Sequence, residues 1–200
     1  MPRFVLGLCG VLGGAAFSEA GAQGKVGDAP AFQVVRAGSS IKFSVKASVA
    51  IQGTFDKWDA TLTFPSRDAT SGKLEIKIQV ASVNTGSGMK NNKLKGKDFF
   101  YVEENPLITF VSKKVKQTGP TSFEVSGDFT IRGVTKPENL ELTITGKGTG
   151  EGTIHGTMAF DRRDYGMNKG IPFIKIADRV EVTVNLKAKQ VNGQRLVYKK

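Results

Sequence analysis

A chain of 200 residues with one cysteine and one histidine offers no His or Cys pair from which to build a zinc site or a nucleophile–base couple. Its 29 lysines and arginines against 18 acidic residues leave a charge of +11, which attracts anionic partners at long range and equally describes a solvated basic surface. Thirteen phenylalanines against three tyrosines and one tryptophan argue against an outer-membrane barrel, whose lipid-facing wall is girdled by Tyr and Trp.

Residues 1–22 read as a cleaved secretory signal. Arg3 supplies the positive charge, residues 4–17 form an apolar run too short to span a bilayer as a helix, and Ala20-Gly21-Ala22 places small residues at the cleavage point. Cys9 follows the bulky Leu8 and does not fit a lipoprotein site. Cleavage after Ala22 removes the only cysteine, and no second apolar run is long enough for a membrane-spanning helix. Residues 23–30 are a small, polar lead-in, and residues 31–200 form a single domain.

From there one period-2 segment follows another. Ile41, Phe43 and Val45 alternate with Lys42, Ser44 and Lys46. Leu74, Ile76, Ile78 and Val80 alternate with Glu75, Lys77 and Gln79. The same pattern runs through Phe123, Val125, Gly127, Phe129 and Ile131, through Leu140, Leu142 and Ile144, and through Val180, Val182, Val184 and Leu186. Further strands are expected at 32–35, 42–53, 60–64 and 152–161. Alternation with glycine-bearing turns between segments predicts an all-β antiparallel sandwich or barrel, apolar inside and polar outside. Helix is expected at 89–100, after a flexible 85–88 loop, and a short turn or helix at 162–169. Asn105-Pro106 ends the first helix, and Leu107 to Ser112 begins a strand with Ile108 and Phe110 on one face. Phe99 and Phe100 then form an apolar cap over one barrel end.

Little supports catalysis. His155 shares the wet face of its strand with Thr153 and Thr157. Asp98, Glu103, Glu104 and Asp128 sit in turns or on strand exteriors, and Gly146-Lys147-Gly148-Thr149-Gly150 lacks both the spacing and the helix of a phosphate loop. The expectation is a protein with no enzymatic activity, no cofactor and no metal. Lys90, Lys93 and Lys97 would share one face of a helix over 89–100, suited to transient contact with an anionic membrane at about 1 kcal/mol per lysine. Nucleic acid is not an expected partner, since no aromatic-basic strand motif is present.

Several blocks resemble the YceI-like family. They are Gly53-Thr54-Phe55-Asp56, Ala81-Ser82-Val83-Asn84-Thr85-Gly86, Leu94 with Asp98-Phe99-Phe100, Pro106 to Ser112, Gly127-Asp128-Phe129-Thr130-Ile131-Arg132-Gly133-Val134-Thr135-Lys136-Pro137, and Arg163-Asp164-Tyr165-Gly166-Met167. The resemblance runs from about Phe32 to Lys189. It implies a lipocalin-like, elongated antiparallel barrel of about eight strands with a short capping helix, located in the bacterial periplasm. It also implies a tunnel holding a long-chain isoprenoid, a quinone tail or a fatty-type lipid. The family often carries an Arg-Asp pair and a His just before the Leu of the cap. Here that stretch is Met89-Lys90-Asn91-Asn92-Lys93-Leu94, with no counterpart for a headgroup contact by those residues.

The expected ligand-lining residues come from the apolar faces of separate strands and from the cap: Phe43, Val45, Ile76, Ile78, Phe99, Phe100, Phe110, Phe129, Ile131, Leu142, Met158, Phe160 and Val182. The same residues would also make a solid core without a ligand. A carrier or sequestering protein for lipid is the first expectation. A non-catalytic stress-protective or interaction protein acting through its basic surface is the alternative, and a homodimer is left open.

Overall fold

The structure, a computed structural model, describes residues 29–48, 50–170 and 174–199. The expected signal segment lies outside the described residues. Ten strands are present: β1 (Ala31–Ala47), β2 (Ile51–Phe55), β3 (Trp58–Thr63), β4 (Lys73–Gln79), β5 (Val83–Asn84), β6 (Leu107–Gln117), β7 (Ser122–Ile131), β8 (Val134–Thr145), β9 (Glu151–Asp161) and β10 (Ile176–Asn192). One helix, α1 (Gly88–Lys95), lies between β5 and β6.

The strands pair in the order β3, β4, β6, β7, β8, β9, β10, and β10 returns to β1 along most of its length. β2 and β3 act as the two halves of one stave. β2 pairs with residues 42–45 of β1, whereas β3 meets β1 only at Ala31↔Thr63. Counted this way, the molecule is the expected closed antiparallel barrel of eight strands with one short helix. Closure matters physically, because it removes the unpaired edges that an open sheet would present. Between β1 and β3 the ladder is interrupted. There the Arg36 guanidinium covers the gap, 4.4 Å above the Trp58 ring and donating to the Asp56 carbonyl at 3.1 Å.

Alternation sets the inside. Along β7, Phe123, Val125, Gly127, Phe129 and Ile131 are buried, while the residues between them are partly exposed. Gly127 is needed where it stands: a Cβ there would lie 2.5 Å from the Val111 carbonyl oxygen and 2.8 Å from the Phe110 ring. β7 turns into β8 through Arg132-Gly133, both with positive φ (54° and 72°), the two-residue turn whose twist suits a hairpin.

The structure revises three sequence-based boundaries. The segment 42–53 is two strands, since β1 ends at Ala47 and β2 starts at Ile51. The 32–35 segment is continuous with β1, interrupted by a register shift between Val35 and Ser40 rather than by a turn. The helix over 89–100 stops at Lys95, with Gly96 at its C-terminal cap. Gly is a poor helix former, and Leu94 is the one buried residue of α1, so a single anchor holds the helix on the barrel. Lys97 therefore lies beyond α1 and does not share a helical face with Lys90 and Lys93. The 85–88 loop, expected to be flexible, is tied down. The Thr85 N–H donates to Asn91 Oδ1 at 2.8 Å, and Ser87 caps the helix. The expected short element at 162–169 is a 3-10 turn over Arg162–Tyr165.

Candidate functional site: two apolar compartments

Among the described residues, two cavities of the barrel have no lining residue in common. The cap-side cavity, about 70 Å³, lies under α1 and the turn that follows it. The other, about 100 Å³, lies at the opposite end, beneath the β8–β9 hairpin and residues 195–198. The strands show what separates them. On β4, Leu74 lines the second cavity and Ile78 the first, with Ile76 between; on β10, Ala188 and Val182 lie on either side of Leu186 and Val184. Phe110, Leu140 and Met158 on β6, β8 and β9 are buried as well. These six side chains belong to the buried core and line neither cavity.

Nine of the thirteen residues expected from the sequence line the cap-side cavity: Phe43, Val45, Ile78, Phe99, Phe100, Phe129, Ile131, Phe160 and Val182. Leu142 lines the opposite cavity. Ile76, Phe110 and Met158 line neither and belong to the buried core between the two linings.

Phe99 and Phe100 both face inward, 4% and 8% exposed, although they are adjacent. A helix could not do this, since neighbouring residues point about 100° apart. The turn after Gly96 can. The Phe99 N–H donates to the Gly96 carbonyl, the Phe100 N–H reaches the Leu94 carbonyl, and Tyr101 takes a left-handed φ of 50°. Phe100 packs 5.9 Å from Phe55 and 6.4 Å edge-on to Phe43. Outside, Lys93 Nζ stands 6.0 Å over the Phe99 ring and donates to Asp98 at 2.7 Å, which holds the Asp98 carboxyl below its usual range. Arg132, presented by the β7–β8 turn, donates Nη1 to the carbonyls of Phe99 (2.6 Å) and Lys97 (3.0 Å), pinning the cap to the barrel wall.

Sequence reasoning missed Arg162, the one charged residue with a buried side chain among the described residues. It lines the cap-side cavity, yet every nitrogen of its guanidinium is engaged, with four of its five N–H groups in hydrogen bonds. Nη1 donates to the carbonyls of Met167 and Lys169, Nε to the Ala177 carbonyl and Nη2 to Asp178 at 2.9 Å. The satisfied donors explain how a charge is tolerated there. Beside it, Tyr165 is fully buried against Phe129 and Phe160, with ring centroids 5.5 and 5.2 Å away. Its hydroxyl donates to Glu138 at 2.9 Å, and burial, then that hydrogen bond, push its pKa well above the ordinary phenol value. Neither residue could be placed inward by period 2, since both lie in a 3-10 turn.

His155 is exposed, with Nδ1 2.7 Å from Asn185 Oδ1 on the neighbouring strand. Asp128 pairs with Lys113 at 2.7 Å and Glu104 accepts from the Tyr101 hydroxyl at 3.0 Å. No cluster of three His, Cys, Asp or Glu suited to a metal occurs among the described residues.

A family profile described as YceI-like domain matches residues 32–188, reaching from β1 into β10. A UPF0312 protein of Pseudomonas syringae pv. tomato is 33% identical over 122 residues, 58% of this chain and 64% of that protein. Protein YceI of Escherichia coli O157:H7 is 35% identical over 98 residues, 49% of this chain and 51% of that one. The alignments thus span between about half and just under two thirds of these relatives. Among solved structures, Burkholderia cenocepacia BcnA superposes with a TM-score of 0.70 at 28% identity, covering 78% of this chain and 99% of BcnA. A Saccharophagus degradans domain, described as polyisoprenoid binding and implicated in plant cell wall breakdown, gives 0.65 at 17% identity over 80% and 99% of the two chains, a likeness of fold. With the profile matching more than three quarters of its length, the chain belongs to the YceI-like family.

Proposed function

We propose that this protein binds a long-chain apolar lipid of isoprenoid type inside its barrel, as a non-catalytic carrier or sequestering protein exported to the periplasm by residues 1–22. The observation that carries the reading is the cap-side cavity. It is lined by apolar side chains, and its one charged lining residue, Arg162, already spends four of its five N–H groups on other partners. Such a surface has nothing to offer a polar metabolite, while each ligand methylene it buries contributes about 0.8 kcal/mol. Family membership and the polyisoprenoid-binding description of the Saccharophagus domain support the same class of ligand.

The cavity volumes bear on the length of that ligand. Cavities of about 70 and 100 Å³ accommodate tail segments rather than a whole polyisoprenoid. A longer chain needs core side chains to re-pack, as the unbranched Met158 does readily. Native mass spectrometry of protein produced with its signal segment tests the proposal. The expected result is a chain starting at Gln23 that releases a long-chain lipid on denaturation. Protein that emerges without lipid and shows no affinity for isoprenoid quinones would overturn it.

A further inference from the structure

We propose that residues 194–199 form a strap over the barrel mouth opposite the cap, with Leu196 and Tyr198 as its stoppers, and that a lipid tail reaches that compartment only when the strap swings aside. The proposal rests on the lipid-binding reading above and adds the way in.

The strap is not a stave of the barrel. β10 keeps its pairing with β1 as far as Ala31↔Asn192 and ends there. Gly193 then turns the chain with a φ of 81°. A Cβ at that position would stand 2.2 Å from the Ala29 carbonyl oxygen, so the turn admits only glycine. The family profile ends at residue 188, before the strap begins. Beyond the turn, side chains alternate as on a strand. Leu196 and Tyr198 line the cavity and are half-buried, while Val197 and Lys199 are exposed. The Tyr198 ring meets Phe123 edge-on at 6.1 Å, and Lys147 Nζ stands 4.3 Å over it from the β8–β9 hairpin. These two side chains thus close the mouth that a tail would use.

What holds the strap is short and lies at the surface. Val197 makes an isolated parallel bridge with Asp68. Its N–H donates to the Arg67 carbonyl at 2.7 Å, and its carbonyl accepts from the Ala69 N–H at 2.9 Å. Arg67 Nε donates to the Arg195 carbonyl at 3.2 Å, and Gln117 exchanges bonds of 2.8 and 3.0 Å with the Lys199 backbone, all of them exposed. Water replaces such bonds as they open, and the barrel ladder stays whole when the strap leaves. The cap differs, because releasing it would strand the partners of the buried Arg162 guanidinium.

A reversible lock makes the test. Asp68 and Val197 are bridge partners, both exposed, and strands so paired lie about 4.8 Å apart, within reach of a disulfide. Asp68→Cys, Val197→Cys is made in the full chain with Cys9→Ser, which removes the only native cysteine. Nile red, a neutral dye that brightens in apolar surroundings, is mixed with the oxidised and the reduced forms. Occupancy of the compartment is read from the methyl signals of Leu142 and Ala188, which line it. Oxidation is expected to slow dye entry by about tenfold or more, and reduction to reverse the slowing. A second variant, Leu196→Ala, Tyr198→Ala, removes the stoppers and should speed entry several-fold with the strap backbone in place. Equal entry rates in the oxidised and reduced forms, or an unchanged rate in the second variant, overturn the strap and leave lipid binding standing. Dye that binds without moving the Leu142 and Ala188 signals enters elsewhere and overturns it too. Failure of both Nile red and farnesol to bind the Cys9→Ser parent would instead remove the lipid-binding reading on which the strap depends.

Discussion

The two ends of this barrel are closed by different chemistry. At the cap end, arginine side chains grip backbone carbonyls: Arg132 holds Lys97 and Phe99, and Arg162 holds the 167–169 segment and Ala177. At the other end, backbone pairs with backbone and with side chains, among them Arg67 Nε, which donates to the Arg195 carbonyl at 3.2 Å. The Val197 N–H donates to the Arg67 carbonyl at 2.7 Å, the Ala69 N–H donates to the Val197 carbonyl at 2.9 Å, and Gln117 clasps the Lys199 backbone through both its amide atoms. Charge-assisted bonds from a buried or half-buried guanidinium are roughly twice as strong as neutral ones. The cap is therefore expected to be the stable end, and the crossing segment 195–199 the end that opens locally.

The largest effect should come from removing the most committed group. Arg162→Met keeps the apolar stem but strands several carbonyls and Asp178, and it should cost about 3–5 kcal/mol of stability in urea unfolding. Arg195→Met, at the other end, should cost less than about 0.5 kcal/mol. A similar cost for both would erase the distinction between the ends.

Next in size are the cap rings. Phe100→Ala removes a ring packed on Phe43 and Phe55 and should cost about 3–5 kcal/mol. Phe99 has an ammonium on its outer side and the cavity within, so we propose that it gates the compartment. Phe99→Ala should then cost clearly less and mainly speed lipid release. Equal stability losses at the two positions, with release rates unchanged, would make both rings plain core and reject the gate.

A smaller change tests the clamp itself. Arg132→Asn retains a residue type tolerant of the left-handed φ of 54° but loses both bonds to the cap. About 1–2 kcal/mol of stability should be lost, with hydrogen exchange rising at Phe99 to Tyr101 and not at Val197. Exchange rising equally at both places would show that the ends are coupled.

The smallest effect is a pH dependence. Burial, followed by the bond to Glu138, raises the Tyr165 pKa above its unfolded value. A raised folded pKa contributes stability that is complete below the unfolded value of about 10 and is lost as pH rises beyond it. The wild type should therefore lose stability with a steeper slope above about pH 10 than Tyr165→Phe. Parallel slopes would mean that the phenol titrates freely and that the aromatic packing around it is loose.

The legible part of the fold was its period-2 patterning. Strands with one apolar face, such as 123–131 and 180–186, could be read directly, because side chains alternate with each residue whatever the partner strand. The family blocks added the barrel and its eight strands. The extent of α1 was harder. A lysine- and asparagine-rich stretch carries weak preferences, and the single buried anchor at Leu94 is a tertiary fact. His155 was placed correctly because its strand is regular, whereas Arg162 and Tyr165 lie in a turn where no period applies.

By itself the sequence determined which residues point inward along each regular strand, and hence that the interior is made of carbon. Tertiary structure alone decided how that interior is divided. Ile76, Phe110, Leu140, Met158, Val184 and Leu186 come from five different strands, and only strand pairing and barrel closure bring them into one core between the two cavities. The same holds for the two ends. Lys147 and Tyr198 lie 51 residues apart in sequence, as 198 − 147 shows, and meet at 4.3 Å only because the chain crosses the barrel mouth after β10. Alternation is a local property of the backbone, but the void left between side chains depends on which strands face each other and at what height.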